Sequence, residues 1–153
     1  MKFIVLVFLI VIYFLGAAKT HAAMEVNVPL SFGTFAIPNN SSVSQLTIST
    51  NFRSYSTNHI HVIQPGQPGE YKLVEFPVYT RLFLNASLPQ QSTVFVGETE
   101  RFTLTNIELP DSVITDSNGE ADLLVGATIE SSGNGGRYLD TKYDLPLIFT
   151  INY

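Results

Sequence analysis

The chain predicts an all-β fold, an immunoglobulin-like antiparallel β-sandwich, on three observations. Apolar residues recur with period two, the runs they form are short, and Gly, Pro, Asn and Ser stand between the runs. The clearest run is Leu145-Pro-Leu-Ile-Phe-Thr-Ile-Asn-Tyr153, which puts Leu145, Leu147, Phe149, Ile151 and Tyr153 on one side. Successive side chains of a strand point to opposite faces, so this is the pattern of a half-buried strand. A strand running to the last residue sets the terminal carboxylate beside a core strand, where a partner can read both. No helical stripe of useful length competes with this reading.

The N-terminus reads as a secretory signal peptide, residues 1–22. Lys2 is the positive region, Phe3 to Leu15 is unbroken apolar sequence, and Thr20 and Ala22 are the small residues before a cut. The apolar run is shorter than the ~20 residues of a spanning helix, so cleavage is expected, with no membrane insertion afterwards. Export to the periplasm, the cell surface or the medium follows. Residues 23–153 are then one domain with no linker or internal repeat.

Along that domain, Val26, Val28, Leu30 and Phe32 alternate with Asn27, Pro29 and Ser31 until Gly33 breaks the run. Leu46 and Ile48 mark a Thr/Ser-rich strand, and Ile60 and Val62 the next. Pro65-Gly-Gln-Pro-Gly69 reads as a turn before a strand from Tyr71 to Phe76. Phe83, Phe95, and Phe102 with Leu104 mark further strands. Asn118-Gly119 is a two-residue hairpin signal, followed by a strand from Leu123 to Ile129. Ser131 to Gly136 is a Gly-rich, flexible loop, and the segments 39–44 and 51–58 are loops as well. Spacing of this kind suits a sandwich.

Composition narrows the function classes. Without Lys2 and Lys19 the domain carries six basic against thirteen acidic residues, a balance of −7. That leaves no electrostatic footprint for nucleic acid and no basic face for anionic lipid. The chain has no cysteine, so packing and hydrogen bonds alone hold the domain, and any surface attachment is non-covalent.

Five pieces carry a resemblance: Leu30-Ser-Phe-Gly33, Pro68-Gly-Glu-Tyr71, Leu124-Val-Gly-Ala-Thr-Ile129, Gly136-Arg-Tyr-Leu-Asp140 and Phe149-Thr-Ile-Asn-Tyr153. In this order, after a signal peptide and without cysteine, they resemble the bacterial exported family called domain of unknown function 4402. That family is similar to pilin subunits and to the spore coat protein U domain of archaic chaperone–usher fimbriae. The resemblance spans essentially all of residues 23–153. It implies a pilin-like sandwich and a structural role at the bacterial surface or in a fimbrium. The implied partners are proteins: a neighbouring subunit, and a periplasmic chaperone and usher.

A sandwich lacking one strand exposes an apolar groove and an unpaired edge, which a strand from another chain can fill. In such a subunit Leu145, Leu147, Phe149, Ile151 and Tyr153 line the acceptor groove. In a complete sandwich the same five are its core face, and the alternation suits both. Pro146, lacking an N–H, fits an edge or a strand start in either. The front of the domain is equally two-sided. Val26, Val28, Leu30 and Phe32 form either a donor segment or the domain's own first strand, because only one strand fits between Ala23 and Phe32.

Catalytic chemistry is absent from the pattern. There is no G-x-S-x-G elbow and no carboxylate pair at acid–base spacing, so no enzyme and no cofactor are expected. His59 and His61 share a strand face, as a two-ligand metal site requires, with Glu70 or Glu75 as candidates across a hairpin; a polar strand face accounts for them without metal. Asp116 to Asp122 misses the glycine position of a calcium loop. The glycines at 133, 135 and 136 lack the strand-to-helix context of a phosphate cradle. The alternative to strand addition is a self-complete adhesin module, binding a carbohydrate or surface through loop tyrosines such as Tyr55, Tyr79 or Tyr143.

Overall fold

The computed structural model describes residues 22–94 and 97–153. The signal-peptide segment before Ala22 and the strand marker Phe95 lie outside the described residues. Among the described residues twelve strands follow one another: β1 (Ala23–Val28), β2 (Ser31–Ala36), β3 (Gln45–Ile48), β4 (Ser54–Ser56), β5 (His61–Gln67) and β6 (Gly69–Val74), then β7 (Arg81–Ala86), β8 (Gln90–Gln91), β9 (Thr103–Glu108), β10 (Ser112–Ile114), β11 (Ala121–Glu130) and β12 (Phe149–Asn152). Every pairing is antiparallel. The chain is an all-β, immunoglobulin-like sandwich. Among the described residues no helix is long and apolar enough to cross a membrane.

One layer is a seven-stranded sheet in which β1, β6, β11, β3 and β4 lie in that order, with β9 on β11 and β8 on β9. The other holds a three-stranded sheet ordered β10-β7-β12, and β2 and β5 form a two-stranded sheet of their own. β11 is the spine: residues 121–125 pair with β6, and residues 126–130 pair with β3 and β9. Its Leu123, Val125, Ala127 and Ile129 meet Leu46, Leu73, Leu82, Leu84 and Leu104 in the core. Leu46, Leu73, Leu82 and Val125 are completely buried. Each such side chain contributes roughly 1.5–3 kcal/mol of transfer free energy. The alternation of β7 is complete, with Leu82 and Leu84 inside and Arg81, Phe83 and Asn85 outside.

The segment Pro65–Gly69 is not a turn. β1 and β2 pair with β6 and β5 along one path, from Ala23↔Val74 through Val28↔Glu70 and Ser31↔Gln67 to Ala36↔His61, with register shifts between Val26 and Val28 and between Thr34 and Phe35. Two long strands thus form one ribbon, kinked where Pro29 and Pro68 interrupt the donors. The run Val26 to Phe32 is therefore split between β1 and β2. Because β5 and β6 continue one another instead of forming a hairpin, Glu70 and Glu75 are not carried back across from His59 and His61.

Asn118-Gly119 makes a turn but not a hairpin: β10 before it pairs with β7, and β11 after it pairs with β6, so the chain crosses between layers. Asp116 organises the crossing, its carboxylate accepting from the N–H groups of Asn118 (2.8 Å) and Glu120 (3.0 Å). Gly119 is required there: its φ is +76°, and a Cβ would lie 2.0 Å from the Phe76 carbonyl oxygen.

The Gly-rich loop is pinned by a buried asparagine. Asn40 donates its amide N–H groups to Ser132 Oγ (2.8 Å) and the Gly136 carbonyl (3.0 Å), and its Oδ1 accepts from Gly133 N–H (2.9 Å). Gly133 allows the backbone to pass this close: its φ is +65°, and a Cβ would lie 2.5 Å from the Val43 nitrogen. The segment 51–58, read as loop, contains the short strand β4, paired to β3.

Candidate strand-accepting groove

The expected final strand is β12 from Phe149 to Asn152, where it pairs with Ala86 to Phe83, and the Ile148 carbonyl just before it accepts from the Ser87 N–H (2.8 Å). Before it, a single bridge joins Asp144 to Thr93. Pro146 has no N–H to extend the ladder between them. The side-chain alternation nevertheless runs through the whole segment: Leu145, Leu147, Phe149 and Ile151 are half-buried against the core, and Pro146, Ile148, Thr150 and Asn152 are exposed. Tyr153 is 66% exposed, its ring edge-on to Phe76 at 5.2 Å. Phe149 meets Tyr71 in the same way at 6.4 Å.

The facing strand is β1. Register puts Met24 beside Leu73 and Val26 beside Tyr71, two buried residues of β6, so Met24 and Val26 belong to the inner face. Yet Met24 is 40% and Val26 56% exposed. Their partners across the strand are covered by the core; they are not. The cause is the layer above. Among the described residues β12 has β7 on one side and no strand on the other, and β1 likewise has only β6. Between these two open edges runs a groove of ≈ 350 Å³ lined by Ala22, Ala23, Met24, Phe76, Leu147, Phe149 and Ile151, with Ile148 at its rim. It is mostly apolar, open along its length, and bordered by edges whose backbone groups are free for another strand.

Of the sequence-predicted groove residues, Leu147, Phe149 and Ile151 line this space; Leu145 lies outside it, and Tyr153 touches it only through Phe76. Val28, Leu30 and Phe32 are half-buried farther along the ribbon. There the sandwich is closed by the loop before β12, where Phe102 packs on Phe35, Tyr138 and Tyr143 with ring centroids 5.3, 4.3 and 5.0 Å apart. Met24 and Phe76 were missed as groove residues. Met24 was legible, standing two residues before Val26 on the same face. Phe76 was not, because Glu75 takes a left-handed φ of +63° and shifts the alternation by one.

The other candidates separate. Tyr143 is structural: its hydroxyl bonds Thr99 Oγ1 (2.8 Å) and the Leu139 backbone, leaving none of it for a sugar. Tyr55 sits in β4 and Tyr79 in the loop before β7, both exposed. His59 donates its backbone N–H to Ser44 Oγ (3.1 Å), and His61 is exposed at the start of β5. Among the described residues no three His, Cys, Asp or Glu side chains gather as a metal site. No protein-family model, curated protein or solved structure matches the chain.

Proposed function

We propose that this chain is an exported, non-enzymatic structural protein that acts by β-strand addition, a pilin-like surface or fimbrial subunit. Its groove receives an extended segment of a protein partner, which in a fimbrium is a neighbouring subunit and, before assembly, a periplasmic chaperone delivering it to an usher. The observation that carries the reading is the uncovered inner face of β1: Met24 and Val26 lie in register with buried residues but remain exposed, and Met24 lines the groove bordered by β12. A strand laid there buries them and offers main-chain hydrogen bonds to either edge. The adhesin alternative draws only on Tyr55 and Tyr79, which stand on separate elements.

The test is light-scattering size analysis with a thermal melt on the exported protein purified without partners. Strand addition predicts non-covalent oligomers that survive mild detergent, or a low melt raised by a groove-filling peptide. A sharp, high melt from a monomer indifferent to peptide removes the proposal and favours the adhesin module.

A further inference from the structure

Oxidation-prone chemistry in this domain is concentrated at one atom. Residues 23–153 contain no cysteine and no tryptophan, and Met24 is their only methionine, because Met1 lies in the signal segment. A thioether is soft and polarisable, and it takes up oxygen from a peroxide where aliphatic and phenyl side chains do not. The place of this one sulfur is the groove. Met24 stands on the inner face of β1 opposite the completely buried Leu73, and its side chain lines the same apolar space as Phe149 and Ile151. At 40% exposed it is open to a small oxidant. Val26, two residues on and more exposed still, has nothing for a peroxide to oxidise.

The surroundings decide what an added oxygen does. Among the described residues, every neighbour that lines the groove with Met24 is alanine, leucine, isoleucine or phenylalanine. No lining side chain can therefore donate a hydrogen bond to an oxygen on the sulfur. In the free protein that oxygen faces water and costs little. Under a strand laid along the groove it loses the water and gains no side-chain donor, which is unfavourable for any buried polar group. One modification thus leaves the free fold almost unaffected and weakens the strand-filled form.

Resting on the strand-addition reading, we propose that Met24 is an oxidation-sensitive switch on the groove. Conversion to the sulfoxide closes the groove to an incoming strand, and a strand already in place shields the sulfur. The oxidant is a peroxide, hydrogen peroxide in the simplest case. The sulfur lone pair attacks one peroxide oxygen, and the S–O bond forms as the O–O bond breaks. The departing hydroxide takes the proton left on the transferred oxygen and leaves as water. Sulfur is oxidised by two electrons and the peroxide is reduced by the same two. A methionine sulfoxide reductase reverses the step with a dithiol, which becomes a disulfide as the oxygen leaves as water.

The test treats the purified protein with dilute hydrogen peroxide. Treated and untreated samples are titrated calorimetrically with a blocked extended peptide of alternating Val and Thr. Mass spectrometry is expected to find one added oxygen, at Met24. Affinity for the peptide is expected to fall about tenfold, the scale of burying one polar group without a partner. The melting temperature of the free protein should hardly move, and reductase with a dithiol should restore the affinity. Met24→Leu keeps the size and removes the sulfur, so it should bind the peptide before and after peroxide alike. Unchanged affinity after complete oxidation overturns the inference and leaves strand addition standing. An equal loss in Met24→Leu also overturns it, by placing the damage elsewhere. If the untreated protein binds no peptide, strand addition itself falls, and the switch with it.

Discussion

Met24 and Leu73 are opposite one another on β1 and β6, on one face of one sheet, and their truncation should cost very different amounts. Leu73 is completely buried in the core. Leu73→Ala removes its transfer free energy and leaves a cavity, which together cost about 3 kcal/mol. Met24 is 40% exposed, so only part of its side chain is out of water and its loss opens no enclosed void. With full burial of a methionine contributing roughly 1.5–3 kcal/mol, Met24→Ala should cost about 1 kcal/mol. Urea denaturation of both variants measures the two values. A groove-filling peptide should widen the Met24 effect, since the side chain then becomes covered: affinity for the peptide should fall about fivefold, equivalent to ~1 kcal/mol. If Met24→Ala destabilises the free protein as much as Leu73→Ala, the inner face of β1 is covered and the groove does not exist.

Three further predictions concern what holds the frame around the groove. Asn40→Ala should cost about 2–4 kcal/mol, because it strips the buried bonds that pin the Gly-rich loop; the melting temperature and faster amide exchange at 131–136 report it. Gly119→Ala should cost on the order of 2 kcal/mol or more, read by urea denaturation, since the new Cβ runs into the Phe76 carbonyl at a positive φ. The third is a pH dependence. The Thr50 hydroxyl, then Ser49 Oγ and the Thr50 N–H, bond the Glu108 carboxylate and hold it below the ordinary 4.5 despite some desolvation. A folded value below the unfolded one means that this contribution is complete above the ordinary value and is lost as pH falls through the folded one. Glu108→Gln should therefore flatten the decline of the melting temperature on acidification below about pH 4.5, with little change in slope at neutral pH.

Much of the fold was legible because burial in a sandwich writes itself as alternation. Leu46 and Ile48 in β3, and Leu145 to Ile151 before and within β12, show it, whereas in β7 the marker Phe83 points outward and Leu82 and Leu84 form the core face. What alternation does not carry is which strand lies next to which. Pro65–Gly69 has turn chemistry but only kinks a long ribbon, because β1 and β2 continue to pair across it. Asn118-Gly119 does turn the chain, yet it delivers β11 to the opposite layer instead of back onto β10. Local residues determine backbone angles, while the distant sheets determine the partners. The Gly-rich loop was opaque for a similar reason, since its order comes from Asn40, over ninety residues earlier in the chain.

The groove was half legible. Leu147, Phe149 and Ile151 were marked by their period, but a covered and an uncovered strand have the same period. Only the exposure of Met24 and Val26, set against the burial of Leu73 and Tyr71, distinguishes them.

The most direct test of the central claim is residue-resolved amide hydrogen exchange on the purified protein, with and without a saturating extended peptide of alternating Val and Thr. Strand addition predicts that alternate amides along the free edges of β12 (Phe149–Asn152) and β1 (Ala23–Val28) slow on binding, while the β7 amides already paired to β12 are unchanged. Peptide bound at saturation with no added protection on either edge would contradict the account.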